Sequence, residues 1–215
     1  MARSHPSLDV SACLLAPENH PAARPFSWPE LFGSDKPVEV EIGSGKGLFL
    51  ASAAAERPEH NFLGIEISRK YARLAAERAI KRGVTNVRVW PGDARLFMAQ
   101  RVGDASLRAV HVYFPDPWWK KRHKKRRVFT AELVAAIVRG LEPAGALHVA
   151  TDVEEYYEVI RSLIAAAPLL AELPPPSVRE PEHDLDYLTN FERKFRIEGR
   201  AIYRASYRKT GERPG

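Results

Sequence analysis

From residue 37 onward, short apolar runs alternate with stretches of helical period. VEVEI (38–42), NFLGIEI (61–67), NVRVW (86–90), LRAVHVYF (107–114) and ALHVAT (146–151) have the length and composition of strands. Between them Tyr71, Leu74, Ala75 and Ala79 recur at helical spacing. So do Leu133, Val134, Ile137, Val138 and Leu141, and again Val153, Tyr156, Tyr157, Ile160 and Ile164. Such alternation predicts βαβ units and a mostly parallel sheet, in one doubly wound α/β domain over about 36–210. The alternating stretch 201–207 is expected to join that sheet as an antiparallel strand. Residues 1–35, rich in Pro, Ala and Ser, read as an irregular lead-in, and three prolines at 174–176 open a polar loop.

Charge sharpens this picture. The 215 residues carry 33 Lys and Arg against 27 Asp and Glu, a formal charge of +6. Seven of those cations fall in 120–127 with no acid among them, so the rest of the chain holds 26 cations against 27 acids. One concentrated basic patch on a near-neutral body suits a polyanion, nucleic acid before membrane. Cys13 is the only cysteine, which excludes an internal disulfide and a cysteine-based zinc site. The seven histidines are scattered with no metal-ligand spacing on a common helix face, so no metal is expected. The longest uncharged stretch, 162–171, is too short to span a bilayer, and the N-terminus lacks the apolar core of a signal peptide. A cytoplasmic protein is expected, with monomer and homodimer both open.

The first candidate chemistry lies at the first strand–helix turn, E-I-G-S-G-K-G. Glycines there let backbone N–H groups approach a ligand closely. A dinucleotide fingerprint or a phosphate-binding loop would each need glycine where Leu48 stands. What remains is Gly43, Gly45 and Gly47 in alternation, preceded by Glu41. That pattern is similar to the first motif of S-adenosylmethionine-dependent methyltransferases, whose cationic cofactor favours a nearby carboxylate. Glu66, ending the second strand, is placed to accept from both hydroxyls of a ribose. Gly92-Asp93-Ala94 serves equally as an adenine contact or as a turn and helix cap.

The fourth strand runs into FPDPWWKKRHKKRR (114–127). Prolines on both sides of Asp116 restrict its backbone, and the tryptophans offer faces for base stacking. The basic half suits a phosphate backbone while the rigid half presents a carboxylate to one base.

With those residues in view, the chain closely resembles the bacterial tRNA (guanine-N7-)-methyltransferases. The resemblance covers about 38–208 and rests on EIGSGKG, GIEI, GDA, FPDPWWKKRHKKRR, ATD (150–152) and TNFE (189–192). It implies a seven-stranded, mostly parallel, Rossmann-like methyltransferase sheet and S-adenosylmethionine as co-substrate. It also implies a variable-loop guanine at tRNA position 46 as the target, with no DNA expected. The family's cofactor contacts fall on Glu41, Gly43, Gly45, Gly47, Glu66, Asp93, Ala94 and Asp116, and its proposed catalytic acid on Asp116. Its substrate-binding positions fall on Lys120, Arg122, His123, Lys124, Lys125, Arg126, Arg127 and Asp152, and on Thr189, Asn190, Phe191 and Glu192. Trp119 and Asn190 occupy variable positions. Thr189 and Glu192 also have the spacing of a helix capping box. Two rivals remain at this point. An amino-methyltransferase of DNA or rRNA would place two successive prolines after the acid, where Asp116-Pro117-Trp118 has one. An RNA-binding protein without catalysis leaves the glycine loop and its two acids unexplained.

Overall fold

The structure, a computed structural model, describes residues 8–20, 24–118, 122, 127–174 and 189–211. Strands β1 (Val38–Ile42), β2 (Asn61–Glu66), β3 (Val87–Pro91), β4 (Leu107–Tyr113), β5 (Leu141–Thr151), β6 (Leu170–Glu172) and β7 (Tyr203–Lys209) form one sheet. Their order is β3-β2-β1-β4-β5-β7-β6, parallel from β3 through β5, with β7 antiparallel to both β5 and β6. The order reverses at β1, which lies between β2 and β4. In open α/β sheets the crevice at the carboxyl end of such a strand is where ligands bind.

Helices cover both faces. Helices α2 (Leu48–Glu56) and α3 (Arg69–Lys81) pack on one, burying Phe49, Leu50, Ala53 and four alanines against Phe62, Val87 and Val89. The other face carries α4 (Ala94–Arg101), α5 (Ala131–Gly140) and α6 (Glu154–Ala165). There Phe97, Met98, Leu133, Ile137, Tyr156 and Ile160 pack on Val40, Ile42, Val110, Val112, Leu147 and Val149. Helix α7 (Asn190–Ile197) precedes β7 and sends Phe195 against Phe114 and Ala150.

Four expectations need correction. The buried stripe of α3 is Ala72, Ala75, Ala76 and Ala79, whereas Tyr71 is exposed and Leu74 half-buried. The small stripe lets α3 approach the first turn of α2: a Cβ at Gly47 would sit 2.7 Å from that of Ala75. Leu141 is the first residue of β5, not the last of the α5 stripe, because the strand starts directly at the helix end. Strand β2 stops at Glu66, leaving Ile67 73% exposed. Strand β7 begins and ends two residues later than the alternation suggested, and β6 was not foreseen; it is only three residues long and lies at the sheet edge.

The described part of the lead-in holds one 3-10 turn (Pro17–Asn19) and a short helix α1 (Trp28–Phe32), and it is packed. Val10, Cys13 and Trp28 are buried. Leu15 N–H donates to Val89 O (2.8 Å) and Val89 N–H to Cys13 O (2.8 Å), so this segment covers the outer edge of β3.

Candidate active site

The turn after β1 is built by three left-handed residues. Gly43, Gly45 and Gly47 have φ of 77°, 53° and 70°, a region that side-chain-bearing residues seldom occupy. Backbone bonds clamp the turn to β2: Gly43 N–H and Ser44 N–H both donate to Ile65 O (2.8 and 3.2 Å). Glu66 completes the clamp. Its Oε2 accepts from Gly45 N–H (2.9 Å) and its Oε1 from Ser68 N–H (2.8 Å), so the carboxylate lies directly under the glycine loop.

Beneath the same turn sits Glu41, only 2% exposed. Its Oε2 is buried without a hydrogen-bond partner, and so is Ser44 Oγ. Burial first, and then the charge of Glu66, holds the Glu41 carboxyl well above the usual carboxylate range. An orphaned acid of this kind costs a few kcal/mol unless a ligand supplies the missing partner. The Tyr113 phenol lies within range of the Glu41 charge, and burial followed by that charge raises its pKa.

Asp93 follows β3 and takes the helix-cap role its position allowed. It caps α4, with Oδ1 accepting from Arg95 N–H (2.7 Å), and its Oδ2 pairs with Arg95 Nη2 (3.0 Å). Partial burial pushes its carboxyl up, but the Arg95 bonds outweigh that and hold it below the usual range. Ala94 begins the helix and is buried.

After β4 the chain enters Phe114-Pro115-Asp116-Pro117-Trp118. Phe114 and Trp118 have φ of 51° and 41°, left-handed conformations that bulky residues adopt at a cost of about 1–3 kcal/mol each. The loop is anchored where Phe114 N–H donates to Ala150 O (2.7 Å) and where Arg127 Nε donates to Pro117 O (2.7 Å). Asp116, held between those anchors, is exposed, and among the described residues its carboxylate accepts no hydrogen bond. Strain at both ends of a loop that offers one unengaged acid marks a site held for something other than stability. The sequence showed the prolines; it could not show the two strained residues around them.

Two acids at the same edge are already paired. Asp152, after β5, makes an ion pair with Arg200. Glu192 in α7 holds Arg196 (3.0 Å) and Arg204. Thr189 caps α7, its Oγ1 accepting from Glu192 N–H (3.1 Å), which is one half of the expected capping box. Arg122 is exposed. Lys120, His123, Lys124, Lys125 and Arg126 lie outside the described residues, as do the side chains of Asn190 and Phe191. The structure therefore brings Glu41, the glycine turn, Glu66, Asp93, Asp116, Asp152 and Thr189 to one carboxyl edge from six separate segments. Ile67 and Ser44 belong to the same edge and were missed. The only sequence signal for Ile67 was an apolar residue following a strand-end acid.

Among the described residues no group of three or more His, Cys, Asp or Glu is placed to hold a metal ion, and no helix is long and apolar enough to cross a membrane.

Comparisons with known proteins bear on the family and the fold. A family model described as "Putative methyltransferase" matches residues 35–205. The chain is 47% identical to the tRNA (guanine-N(7)-)-methyltransferase of Rhodopirellula baltica, over 97% of its own length and 79% of that protein. It is 38% identical to the tRNA (guanine-N(7)-)-methyltransferase of Alkalilimnicola ehrlichii, over 92% of its length and 83% of that protein. Among solved structures its fold is similar to the antibiotic-resistance methyltransferase Kmr, with a TM-score of 0.58 at 15% identity, covering 87% of this chain and 96% of that one.

Proposed function

Because this chain belongs to the family of tRNA (guanine-N(7)-)-methyltransferases, we propose how its residues divide the work of that reaction. The protein transfers a methyl group from S-adenosylmethionine to N7 of a guanine in tRNA, and the guanine is that of the variable loop at position 46. The observation that carries the assignment of residues is the orphaned, buried Glu41 carboxylate beneath a glycine turn that is clamped to Glu66.

The cofactor end consists of Glu41, Gly43, Gly45, Gly47, Glu66, Asp93 and Ala94. Glu41 supplies the acceptor that a ligand ammonium needs, and an arriving cation supplies the partner that Oε2 lacks. Glu66 accepts from ribose hydroxyls, and the exposed apolar face of Ile67 suits the plane of an adenine. S-adenosylmethionine contributes an electrophilic methyl group on a positively charged sulfur.

Guanine N7 carries an in-plane lone pair at neutral pH, so no proton has to be removed before it attacks. The protein's tasks are alignment and electrostatics. Positive charge moves onto the purine as the methyl group is transferred. A fixed carboxylate at Asp116 stabilises that developing cation more than the neutral base, which lowers the barrier. Asp116 thus orients and stabilises and does not act as an obligatory base. Lys120, Arg122, His123, Lys124, Lys125, Arg126 and Arg127 grip phosphates, while Asp152, Thr189, Asn190, Phe191 and Glu192 shape the guanine's surroundings.

Methyl transfer to unmodified tRNA followed by nucleoside analysis tests the reading. 7-Methylguanosine is expected, and N6-methyladenosine overturns it. Asp116→Asn keeps the shape and removes the charge. At saturating cofactor it should lower the single-turnover rate about 10²–10³-fold, by analogy with losing one preorganised stabilising group. A rate within a few-fold of wild type would reduce Asp116 to a turn residue.

A further inference from the structure

On the α2–α3 face, outside the site described above, a groove of about 700 Å³ collects cations from three separate elements. Lys46 comes from the glycine turn, Arg78, Lys81 and Arg82 from the end of α3, and Arg193 from α7. Its floor is apolar, formed by Leu48, Ala51 and Leu74. The single acid on its wall, Glu77, is already engaged by Arg73 (2.9 Å).

Arg78, Lys81 and Arg82 stand at i, i+3 and i+4, so they project from one helix face and repel one another. Among the described residues none of the three, nor Lys46, makes an ion pair. Arg78 is half-buried, which disfavours its charged form with no carboxylate in compensation. Cations near a helix C-terminus are favourable to its dipole, and that alone would account for one or two of them. It does not account for the convergence of Lys46 and Arg193 from other elements on the same groove. Nor does it explain where the groove opens. Lys46 sits between Gly45 and Gly47, and Arg193 follows Glu192, so the groove begins at the rim of the candidate active site. Arg127 leads into α5 on the opposite face of the sheet, with its guanidinium over the Tyr156 ring, so it stands across the carboxyl edge from this groove.

We propose that this groove binds the phosphate backbone of the tRNA, as a second grip separate from 120–127. The proposal rests on tRNA being the substrate. A strand held on both faces of the sheet has its intervening nucleotide presented over the carboxyl edge, where Asp116 stands. Spaced cations over an apolar floor suit a run of phosphates and sugars better than one compact anion, because each cation then meets its own phosphate.

The test is the salt dependence of tRNA binding by the full chain carrying Arg78→Gln, Lys81→Gln and Arg82→Gln together. The slope of log affinity against log salt should become shallower by roughly 2, from about 0.7–0.9 per lost phosphate contact. KM for unmodified tRNA should rise in parallel, while the dissociation constant for S-adenosylmethionine stays within two-fold of wild type. Lys81→Glu with Arg82→Glu, two exposed positions, gives the same readout should the triple variant fold poorly. An unchanged slope overturns the proposal, and so does an effect confined to self-association, which would make the groove a protein contact. Failure of the underlying reading is separable: wild-type protein would then form no 7-methylguanosine, whereas failure of the groove leaves wild-type methylation intact.

Discussion

Glu41 and Glu66 end adjacent strands and meet beneath one glycine turn, but only Glu66 has its hydrogen bonds satisfied. The buried Glu41 carboxyl stays protonated well above the ordinary carboxylate range. A group whose folded pKa is raised adds stability below its unfolded pKa and loses that contribution as pH rises through the folded value. Glu41→Gln should therefore raise the thermal midpoint of the cofactor-free protein at pH 8. A bound ammonium favours the ionised form, so S-adenosylmethionine binding near neutral pH should release up to one proton. Calorimetry in two buffers of different ionisation enthalpy reads that number directly. Zero release, or the same release from Glu41→Gln, would separate Glu41 from the cofactor.

At the scale of elements, the unusual feature is a polar row that crosses four strands of the sheet. Glu41, His111, His148 and Ser206 stand in register on β1, β4, β5 and β7. Below them the buried Glu39 accepts from Arg57, His60 and His111 Nε2 (2.7 Å). Burial keeps His111 below the ordinary imidazole range, so the ring is neutral, donates to Glu39 and accepts from Tyr113 Oη at Nδ1 (2.9 Å). Phe49 of α2 closes over His111 and Tyr113, with ring centroids 4.5 and 5.1 Å away. His148 stacks on His111 at 5.0 Å and meets Ser206 Oγ at 2.8 Å. Burial, followed by His111, pushes its pKa down to about 4, with Glu39 pulling up and Arg57 pushing down. Its unfolded value is near 6.5, so between the two the unfolded chain binds more protons, and stability is lost as pH falls through that window. One such histidine contributes a slope of at most about 1.4 kcal/mol per pH unit. The thermal midpoint should drop from pH 7 to pH 5, and His148→Asn, which keeps a partner for Ser206, should flatten that drop. An identical drop in the variant would place the acid sensitivity elsewhere.

Over the whole molecule, the sheet leaves two outer strands, and the chain treats them differently. β6 is short, only three residues, whereas β3 is covered by the lead-in through the Cys13–Val89–Leu15 bonds. An uncovered, regular outer strand is a template for pairing with other chains. Deleting residues 1–15 also removes Val10 and Cys13 from the α2–α3 core. The truncated protein should melt at a lower temperature and self-associate at high concentration, while retaining its affinity for S-adenosylmethionine. Light scattering and melting curves check this; a monomer of unchanged midpoint would make the lead-in dispensable to the fold.

Local pattern sufficed for most of the elements, because strand and helix periods and turn glycines are properties of neighbours along the chain. It also exposed Gly43 to Gly47, Glu66, Asp93 and the Pro115-Asp116-Pro117 turn, since each sits where a strand ends, and parallel strands bring all their carboxyl ends to one edge. What local pattern could not carry was anything set by partners distant in sequence. The alternation in VEVEI would suit a strand with one face in water, yet both faces are buried, and this alone turns Glu41 into an orphaned acid and Glu39 into a network hub. The place of β7 between β5 and β6 depends on which edges remain unpaired after the parallel strands have assembled. Lys46, Arg78 and Arg193 are unremarkable cations in the sequence; only the packing of α3 on its alanines, with α7 nearby, gathers them into one groove. Burial and convergence are decided by the tertiary structure because both are sums over contacts that no stretch of neighbouring residues contains.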